Sequence, residues 1–146
     1  MKRTLAILLV MTMFAAILGG CSGEPVEPPY ISELDEEIQN AIKQTCLDEV
    51  QADDSEGYFK DKTIDDVDID RYYGTYNDCV VVKIYGFYEY TQALWEDRVA
   101  GVKIQYYNGC RISAWKDGVF YELKDAYEQG LLTRKDIKKI AAIQNR

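Results

Sequence analysis

The region that most constrains the fold is the stretch from residue 67 to residue 122, in which apolar and polar residues alternate in short runs. A period of two is typical of β-strands that bury one face. Residue pairs that favour tight turns separate the runs, including Asn77-Asp78 and Asp117-Gly118. The pattern predicts a meander of about five antiparallel strands. Their inner rows are expected to contain Val80, Val82, Ile84, Ala100, Val102, Ile104, Tyr106, Cys110, Ile112 and Ala114.

Two connections decide how these strands can pair. Residues 90–97 break the alternation and are predicted to link two strands. A three-residue loop at residues 107–109, with Gly109 in the left-handed region, would keep Cys110 and Ile112 on the inner face. A two-residue turn at Asn108-Gly109 would instead move Ile112 to the outer face. The three-residue loop is the prediction.

Helical periodicity flanks the strand region on its N-terminal side. Apolar residues recur every three or four positions from Leu34 to Val50, and polar residues fill the other face. Ser32 is expected to cap this helix, with Asp35 returning a bond to the cap backbone.

A helical hairpin is predicted at the C-terminal end. Residues 123–129 carry a short apolar stripe that ends at Gly130, and Thr133 is expected to cap a last helix with Asp136 at its third position. The buried row of that helix should contain Ile137, Ile140, Ala141 and Ile143. Residues 31–146 are therefore expected to form one α+β domain, made of an N-terminal helix, the strand meander and the helical hairpin.

The first 21 residues have the features of an export signal. Lys2 and Arg3 precede an uncharged, mostly apolar run, which closes with Leu18-Gly19-Gly20-Cys21. This ending resembles the lipobox of bacterial lipoproteins. The resemblance implies that residues 1–20 are removed and that Cys21 becomes a lipidated N-terminus on the outer face of the cell membrane. The alternative is an ordinary thiol behind an ordinary signal peptide. Residues 21–30, which contain all three prolines, are predicted to form a spacer.

Charge and composition limit the possible partners. Two of the 17 basic residues and none of the 25 acidic residues lie in the signal, so the mature chain carries a formal charge of −10. This charge argues against nucleic acid as a partner, because its phosphates require clustered Lys and Arg. The lipid rather than the protein surface is expected to hold the membrane. The chain has no histidine, which is the commonest general base and a common zinc ligand. No cofactor or metal is expected.

The block from residue 72 to residue 141 resembles a second known group. It includes "YYGTYNDCVVV", "LWEDRVAGV" and "WKDGVFYELKDAYEQGLLTRKDIKKIA". These segments are similar to a small uncharacterised module of surface proteins and lipoproteins from Gram-positive bacteria. The resemblance implies an extracytoplasmic domain and assigns no catalytic residue.

Cysteines and acidic residues supply the candidates for chemistry. Cys46 and Cys110 are both placed on inner faces, so they could form a disulfide or remain small core thiols, while Cys79 is expected to be a separate thiol. Asp66, Asp68 and Asp70 resemble the start of a calcium loop. The required glycine and closing glutamate are missing, so these aspartates are interpreted as one solvated strand face.

An aromatic surface is the best binding candidate in the sequence. If strands 79–88 and 99–107 pair, Lys83 lies beside Lys103 and Tyr85 beside Gly101. The predicted patch contains Tyr85, Phe87, Trp115 and Phe120. Two interpretations remain open. Leu131, Leu132, Ile137 and Ile140 of the closing helices could cover the patch as a second core, or the patch could dock a protein or glycan.

These observations favour a membrane-anchored, extracytoplasmic protein that binds rather than catalyses. Its expected partner is another extracytoplasmic protein or a cell-wall polymer. The alternative is an inhibitor or immunity protein that neutralises a secreted enzyme. A hydrolase that uses a carboxylate pair drawn from Glu89, Glu96, Asp97 and Glu122 is the weakest hypothesis.

Overall fold

The computed structural model describes residues 27–85, 94–107 and 110–144, and it confirms the α+β class. The helices are α1 (Glu36–Asp53), α2 (Leu123–Glu128) and α3 (Arg134–Gln144). The strands are β1 (Asp68–Tyr76), β2 (Cys79–Tyr85), β3 (Leu94–Val99), β4 (Val102–Tyr107), β5 (Cys110–Lys116) and β6 (Val119–Glu122).

The strand arrangement differs from a single five-stranded meander. Four antiparallel strands form one sheet in the order β1-β2-β5-β6, and β3 pairs with β4 in a separate two-stranded sheet. The segment predicted as a connection contains most of β3. It joins β4 through Ala100 and Gly101, whose φ angles of 52° and 75° match a type I′ turn. Because β4 pairs with β3, the second edge of β2 pairs with β5 instead.

The predicted turns at the two ends of the main sheet are confirmed. Asn77 and Asp78, between β1 and β2, have φ angles of 49° and 62°. Asp117 and Gly118, between β5 and β6, have φ angles of 50° and 79°. Both pairs match the type I′ geometry, whose twist suits a hairpin. Asn108 and Gly109, where the sequence predicts a three-residue loop, lie outside the described residues.

The main sheet is buried on both faces, so the domain has two cores. Val80, Val82 and Ile84 face the core as predicted, while Cys79 and Val81 point to the opposite core. A strand buried on both sides needs a continuous apolar run, which "CVVV" supplies.

The first core, called the α1 cluster, contains Leu34, Ile42, Leu47, Val67, Tyr72, Val80, Val82 and Ile84. The second core, called the α3 cluster, contains Tyr73, Cys79, Val81, Val99, Ile104, Ile112, Ala114, Leu123, Ala126, Leu132, Ile137, Ile140, Ala141 and Ile143. Ile112 and Ala114 were predicted to share a core with Val80 and Val82. That prediction is wrong, because pairing with β2 places them on the other face of the sheet.

Helix α1 begins later than the sequence predicts. Residues 31–33 form a short 3-10 turn, and Leu34 is extended and buried. Asp35 rather than Ser32 is the N-cap, and its carboxylate accepts a hydrogen bond from the backbone N–H of Glu37 at 2.8 Å. Burial of Leu34 in the α1 cluster delays the helix by one turn.

The C-terminal helices follow the prediction closely. Helix α2 ends before Gly130, whose φ is 74°. The Thr133 backbone N–H donates to Asp136 Oδ2 at 2.8 Å, and the Asp136 N–H donates to Thr133 Oγ1 at 3.3 Å. These reciprocal bonds form the predicted capping box of α3. Its predicted row, Ile137, Ile140, Ala141 and Ile143, is buried.

Candidate functional site

The structure does not assemble the predicted aromatic patch. Trp115 and Phe120 pack at the edge of the α1 cluster. The Trp115 indole N–H donates to Thr45 Oγ1 of α1 at 3.0 Å, so α1 covers this side of the sheet. Tyr85 follows Ile84 on β2 and therefore lies on the opposite face. Phe87, the fourth member, lies outside the described residues.

The strand pairing explains this correction. Tyr85 lies opposite Cys110 and Lys83 opposite Ile112, so the predicted neighbours Gly101 and Lys103 are not beside them. The Lys83 ammonium instead lies 2.9 Å from Asp70 Oδ2 and 5.2 Å from the centre of the Tyr85 ring.

The closing helices do cover a second apolar layer. Leu132, Ile137 and Ile140 are buried in the α3 cluster, where they pack with Val81 and Ala114. Besides Tyr73 and Cys79, the buried members of this layer are aliphatic side chains, and Tyr85, Trp115 and Phe120 are not among them. Neither of the two open interpretations therefore applies to the four aromatic residues as a group.

The helices α1 and α3, which pack on opposite faces of the main sheet, carry opposite charge. Helix α1 has five acidic residues and one lysine, a net charge of −4, and all five acidic side chains are exposed. Helix α3 has four basic residues and one aspartate, a net charge of +3, and all four basic side chains are exposed. Since the helices pack on opposite faces, the acidic and basic surfaces point away from each other.

The acidic side continues into the loop after α1. Gln51 on α1 donates from Nε2 to the carbonyl oxygens of Phe59 at 3.0 Å and Lys62 at 3.3 Å, which fixes the loop to the helix. The Phe59 N–H donates to the Asp54 carboxylate, and this bond lowers the pKa of Asp54 below its usual value. Tyr58 lies in this loop with 75% of its surface exposed. The exposed Tyr58 ring therefore lies on an acidic loop that hydrogen bonds hold in place.

The N-terminal segment lies beside the edge strand β1. A shallow groove of about 380 Å³ separates them and is lined by Pro28, Pro29 and Tyr30 on one side and by Arg71 and Tyr72 on the other. The Arg71 guanidinium also reaches the carbonyl oxygen of Ile143 in α3 at 3.5 Å. The described chain therefore starts near the C-terminal end of α3.

The described cysteine and carboxylates considered for catalysis or metal binding are buried, paired or exposed. Cys79 is fully buried in the α3 cluster, and burial raises the pKa of its thiol. The Glu96 carboxylate lies 2.7 Å from Lys103 Nζ, and that hydrogen bond lowers the pKa of Glu96, which does not suit a general acid. Among the described residues, no group of three His, Cys, Asp or Glu side chains is arranged to hold a metal ion. Glu89 lies outside the described residues, while Asp97 and Glu122 are exposed.

The disulfide alternative for Cys46 and Cys110 loses its geometric argument. Cys46 packs at the edge of the α1 cluster. Ile112 and Ala114, which were expected to share a face with Cys110, pack in the α3 cluster instead. The side chain of Cys110 lies outside the described residues, so the bond remains a prediction.

Charge segregation between the two helices is the feature that sequence reasoning missed. The signal was present, because Arg134, Lys135, Lys138 and Lys139 repeat at a spacing that places them on one helical face. The net charge does not indicate this basic helical face, since the chain as a whole is strongly acidic.

None of the described helices has both the length and the apolar character needed to cross a membrane. Comparison with protein-family models, with curated proteins and with solved structures finds no match. The resemblances to the lipobox and to the Gram-positive surface module therefore stay predictions from the sequence.

Proposed function

We propose that this chain is a lipoprotein held on the outer face of the cell membrane through Cys21, and that the acidic side of its domain binds a basic region of another extracytoplasmic protein. The acidic surface formed by α1 and the loop after it carries the binding part of this proposal. The sequence "LGGC" at residues 18–21, behind a basic start and an apolar run, supports the anchor.

The acidic surface favours a protein partner over an anionic cell-wall polymer. Glu49 and Asp53 are exposed on the last turns of α1, and Glu56 and the exposed Tyr58 follow in the loop. A polyanion would be repelled by this surface, whereas Lys and Arg on a protein would be attracted to it. Tyrosine is also enriched at the centres of protein interfaces.

Binding rather than catalysis is proposed because two carboxylates of the acidic surface, Asp54 and Asp66, already form structural contacts. Asp54 accepts backbone hydrogen bonds in the loop. The Asp66 carboxylate accepts a hydrogen bond from the Thr63 backbone N–H at 2.9 Å and forms an ion pair with Lys62 Nζ at 3.2 Å. These contacts lower the pKa values of both carboxylates, so both are ionised at neutral pH. Such groups fix the surface charge but are poor proton donors.

The binding part is tested by reversing charge on one side at a time. Glu49→Lys combined with Asp53→Lys changes the acidic surface, and Asp125→Lys combined with Glu128→Lys makes the same change in net charge on α2, across the sheet. The mature chain is used to capture partners from envelope extracts. The captured partner should bind the first variant at least tenfold more weakly, a loss of about 1.4 kcal/mol or more for the pair of charges. It should bind the control normally.

Equal binding of the two variants would contradict the proposed surface. An inhibitor or immunity function would be recognised differently. The partner would be an enzyme, captured at one molecule per chain, and its turnover would be lost in the complex.

The anchor is tested by cell fractionation of Cys21→Ser. The wild-type chain should remain with the membranes after washing with high salt, because acyl chains rather than charges hold it. The variant should be released into the medium or the periplasmic fraction. Retention in washed membranes of a Cys21→Ser chain from which residues 1–20 have been removed would contradict lipid attachment at this residue.

A further inference from the structure

Helix α3 presents a basic face for which the described residues offer no ion-pair partner. Arg134, Lys135, Lys138 and Lys139 are exposed, and the ion pairs of the described residues involve other cations. Lys139 Nζ lies 5.8 Å from the centre of the Tyr76 ring, and Asp136 is engaged by Thr133 in the capping box. The positive charge of this face is therefore directed to solvent.

The position of this face relative to the start of the domain is the second observation. The segment at residues 27–31 lies beside Arg71, and Arg71 contacts the last turn of α3 through the Ile143 carbonyl oxygen. Glu27 is six residues after Cys21 in the sequence. A fully extended chain of that length reaches about 20 Å at most. A lipid on Cys21 would hold Glu27 within that distance of the bilayer, and Arg71 connects the segment at residues 27–31 to the last turn of α3.

We propose that the basic face of α3 lies on anionic lipid headgroups of the membrane that holds the chain, so that the acidic side faces outward. This inference rests on the proposed anchor at Cys21. It replaces the sequence-based expectation that the protein surface as a whole is repelled by anionic lipid. Anionic lipid is expected to repel the α1 side, because α1 has five acidic residues and α3 has one.

Electrostatics favours one orientation over the other. Each Lys or Arg close to an anionic membrane strengthens the binding of the protein to that membrane by about fivefold. This effect falls off over roughly 10 Å. The four cations of α3 are attracted, whereas the carboxylates of α1 are repelled and lie beyond the sheet. An anionic polymer in solution has the same charge, but the short tether brings the membrane, not the polymer, to this face.

The test compares lysine labelling in two kinds of vesicle. The full chain is expressed in a bacterial host, purified from its membranes and reconstituted in phosphatidylcholine, with or without about one third phosphatidylglycerol. An acylating reagent labels lysines, and mass spectrometry measures each site. Labelling of Lys135, Lys138 and Lys139 should fall by about fivefold when phosphatidylglycerol is present. Labelling of Lys43 and Lys60, across the sheet or in the loop, should not change.

Two charge variants make the test specific. Lys138→Glu combined with Lys139→Glu should remove the lipid-dependent protection of Lys135. Lys43→Glu combined with Lys60→Glu makes the same change in net charge and should leave the protection of α3 intact.

Equal labelling in both vesicles would overturn the inference. Protection by added poly(glycerol phosphate) but not by phosphatidylglycerol would also overturn it and assign the face to a soluble polyanion. Flotation separates this failure from failure of the anchor. A lipidated chain floats with phosphatidylcholine vesicles whether or not α3 is protected, whereas a chain without the lipid does not float.

Discussion

The two faces of the main sheet are buried by different elements of the chain. On one side, α2, α3 and the β3–β4 pair enclose the α3 cluster, whose largest members are fully buried. On the other side, α1 covers the sheet together with Leu34 before it and Ile64 and Val67 after it, and Trp115, Phe120 and Cys46 are partly buried at the edge. The comparison teaches that the two cores differ in size, and that the larger one belongs to α2, α3 and the β3–β4 pair.

The sides also differ in how their polar groups are used. On the α3 side, the described polar contacts mainly complete helix ends, as in the Thr133–Asp136 box. On the α1 side, they fix an exposed loop, as in the bonds from Gln51 to Phe59 and Lys62. An ordered loop with an exposed aromatic ring suits recognition, and this difference supports the proposal that the protein-binding surface lies on the α1 side.

The largest predicted effect comes from making a cavity in each core. Ile140 and Ile42 are both 0% exposed, in the α3 and α1 clusters respectively. Ile140→Ala should lower the free energy of unfolding by about 3–5 kcal/mol, and Ile42→Ala by about 2–4 kcal/mol, because the partly open edge of the α1 cluster can relax. Urea denaturation measures both values. Ile38→Ala, at a site that is 36% exposed, is the control and should cost under about 1 kcal/mol. A larger loss for Ile42→Ala would contradict the comparison.

The next effect isolates the contact that holds α1 to the sheet. A double-mutant cycle with Trp115→Phe and Thr45→Val removes the indole N–H and the hydroxyl oxygen it reaches at 3.0 Å. The coupling free energy should be about 1 kcal/mol, the usual value for a partly buried hydrogen bond. Additive single effects would show that this bond does not secure α1.

A smaller effect compares the two predicted helix caps. Thr133→Ala breaks the capping box of α3 and should lower the free energy of unfolding by about 1 kcal/mol. Ser32→Ala should change it by less than about 0.3 kcal/mol, since Asp35 caps α1 instead. Thermal and urea denaturation measure both. A loss at Ser32 equal to that at Thr133 would restore the original prediction for the start of α1.

The smallest effect near neutral pH concerns Tyr76 on the α3 side. Burial raises the pKa of Tyr76 from 10.0 to about 12, and its hydroxyl donates to the Tyr73 carbonyl oxygen at 2.8 Å. The folded state therefore keeps a proton that the unfolded state loses. This contribution to stability is complete below pH 10 and disappears as the pH rises towards 12. Tyr76→Phe should make the stability less dependent on pH in this window. An unchanged slope would show that the hydroxyl titrates normally.

Local elements of the fold could be predicted because their signals are local. The turns at Asn77-Asp78 and Asp117-Gly118, the stop at Gly130 and the cap at Thr133 each depend on a few neighbouring residues, and all are confirmed. The start of α1 failed because burial of Leu34, a tertiary effect, outweighs the capping signal at Ser32.

Strand pairing could not be predicted from alternation. The Ala100-Gly101 turn lacks an Asn-Gly or Asp-Gly signature, so β3 was missed and β4 was paired with the wrong strand. Irregularities in β1 add to the difficulty, since its register with β2 shifts between Ile69 and Arg71 and again between Tyr72 and Gly74. The aromatic patch depended on that pairing and failed with it. Charge segregation across the sheet depends on knowing which face each helix covers, which again is a tertiary property.

The proposed anchor at Cys21 would relate these two sides to the cell, because it would decide which side can meet the membrane. The most direct test is the intact mass of the chain purified from membranes of a bacterial host. The account predicts a chain that begins at Cys21 and carries a diacylglyceryl group on its sulfur. A chain that retains Met1, or one that begins at Cys21 with an unmodified thiol, would contradict it.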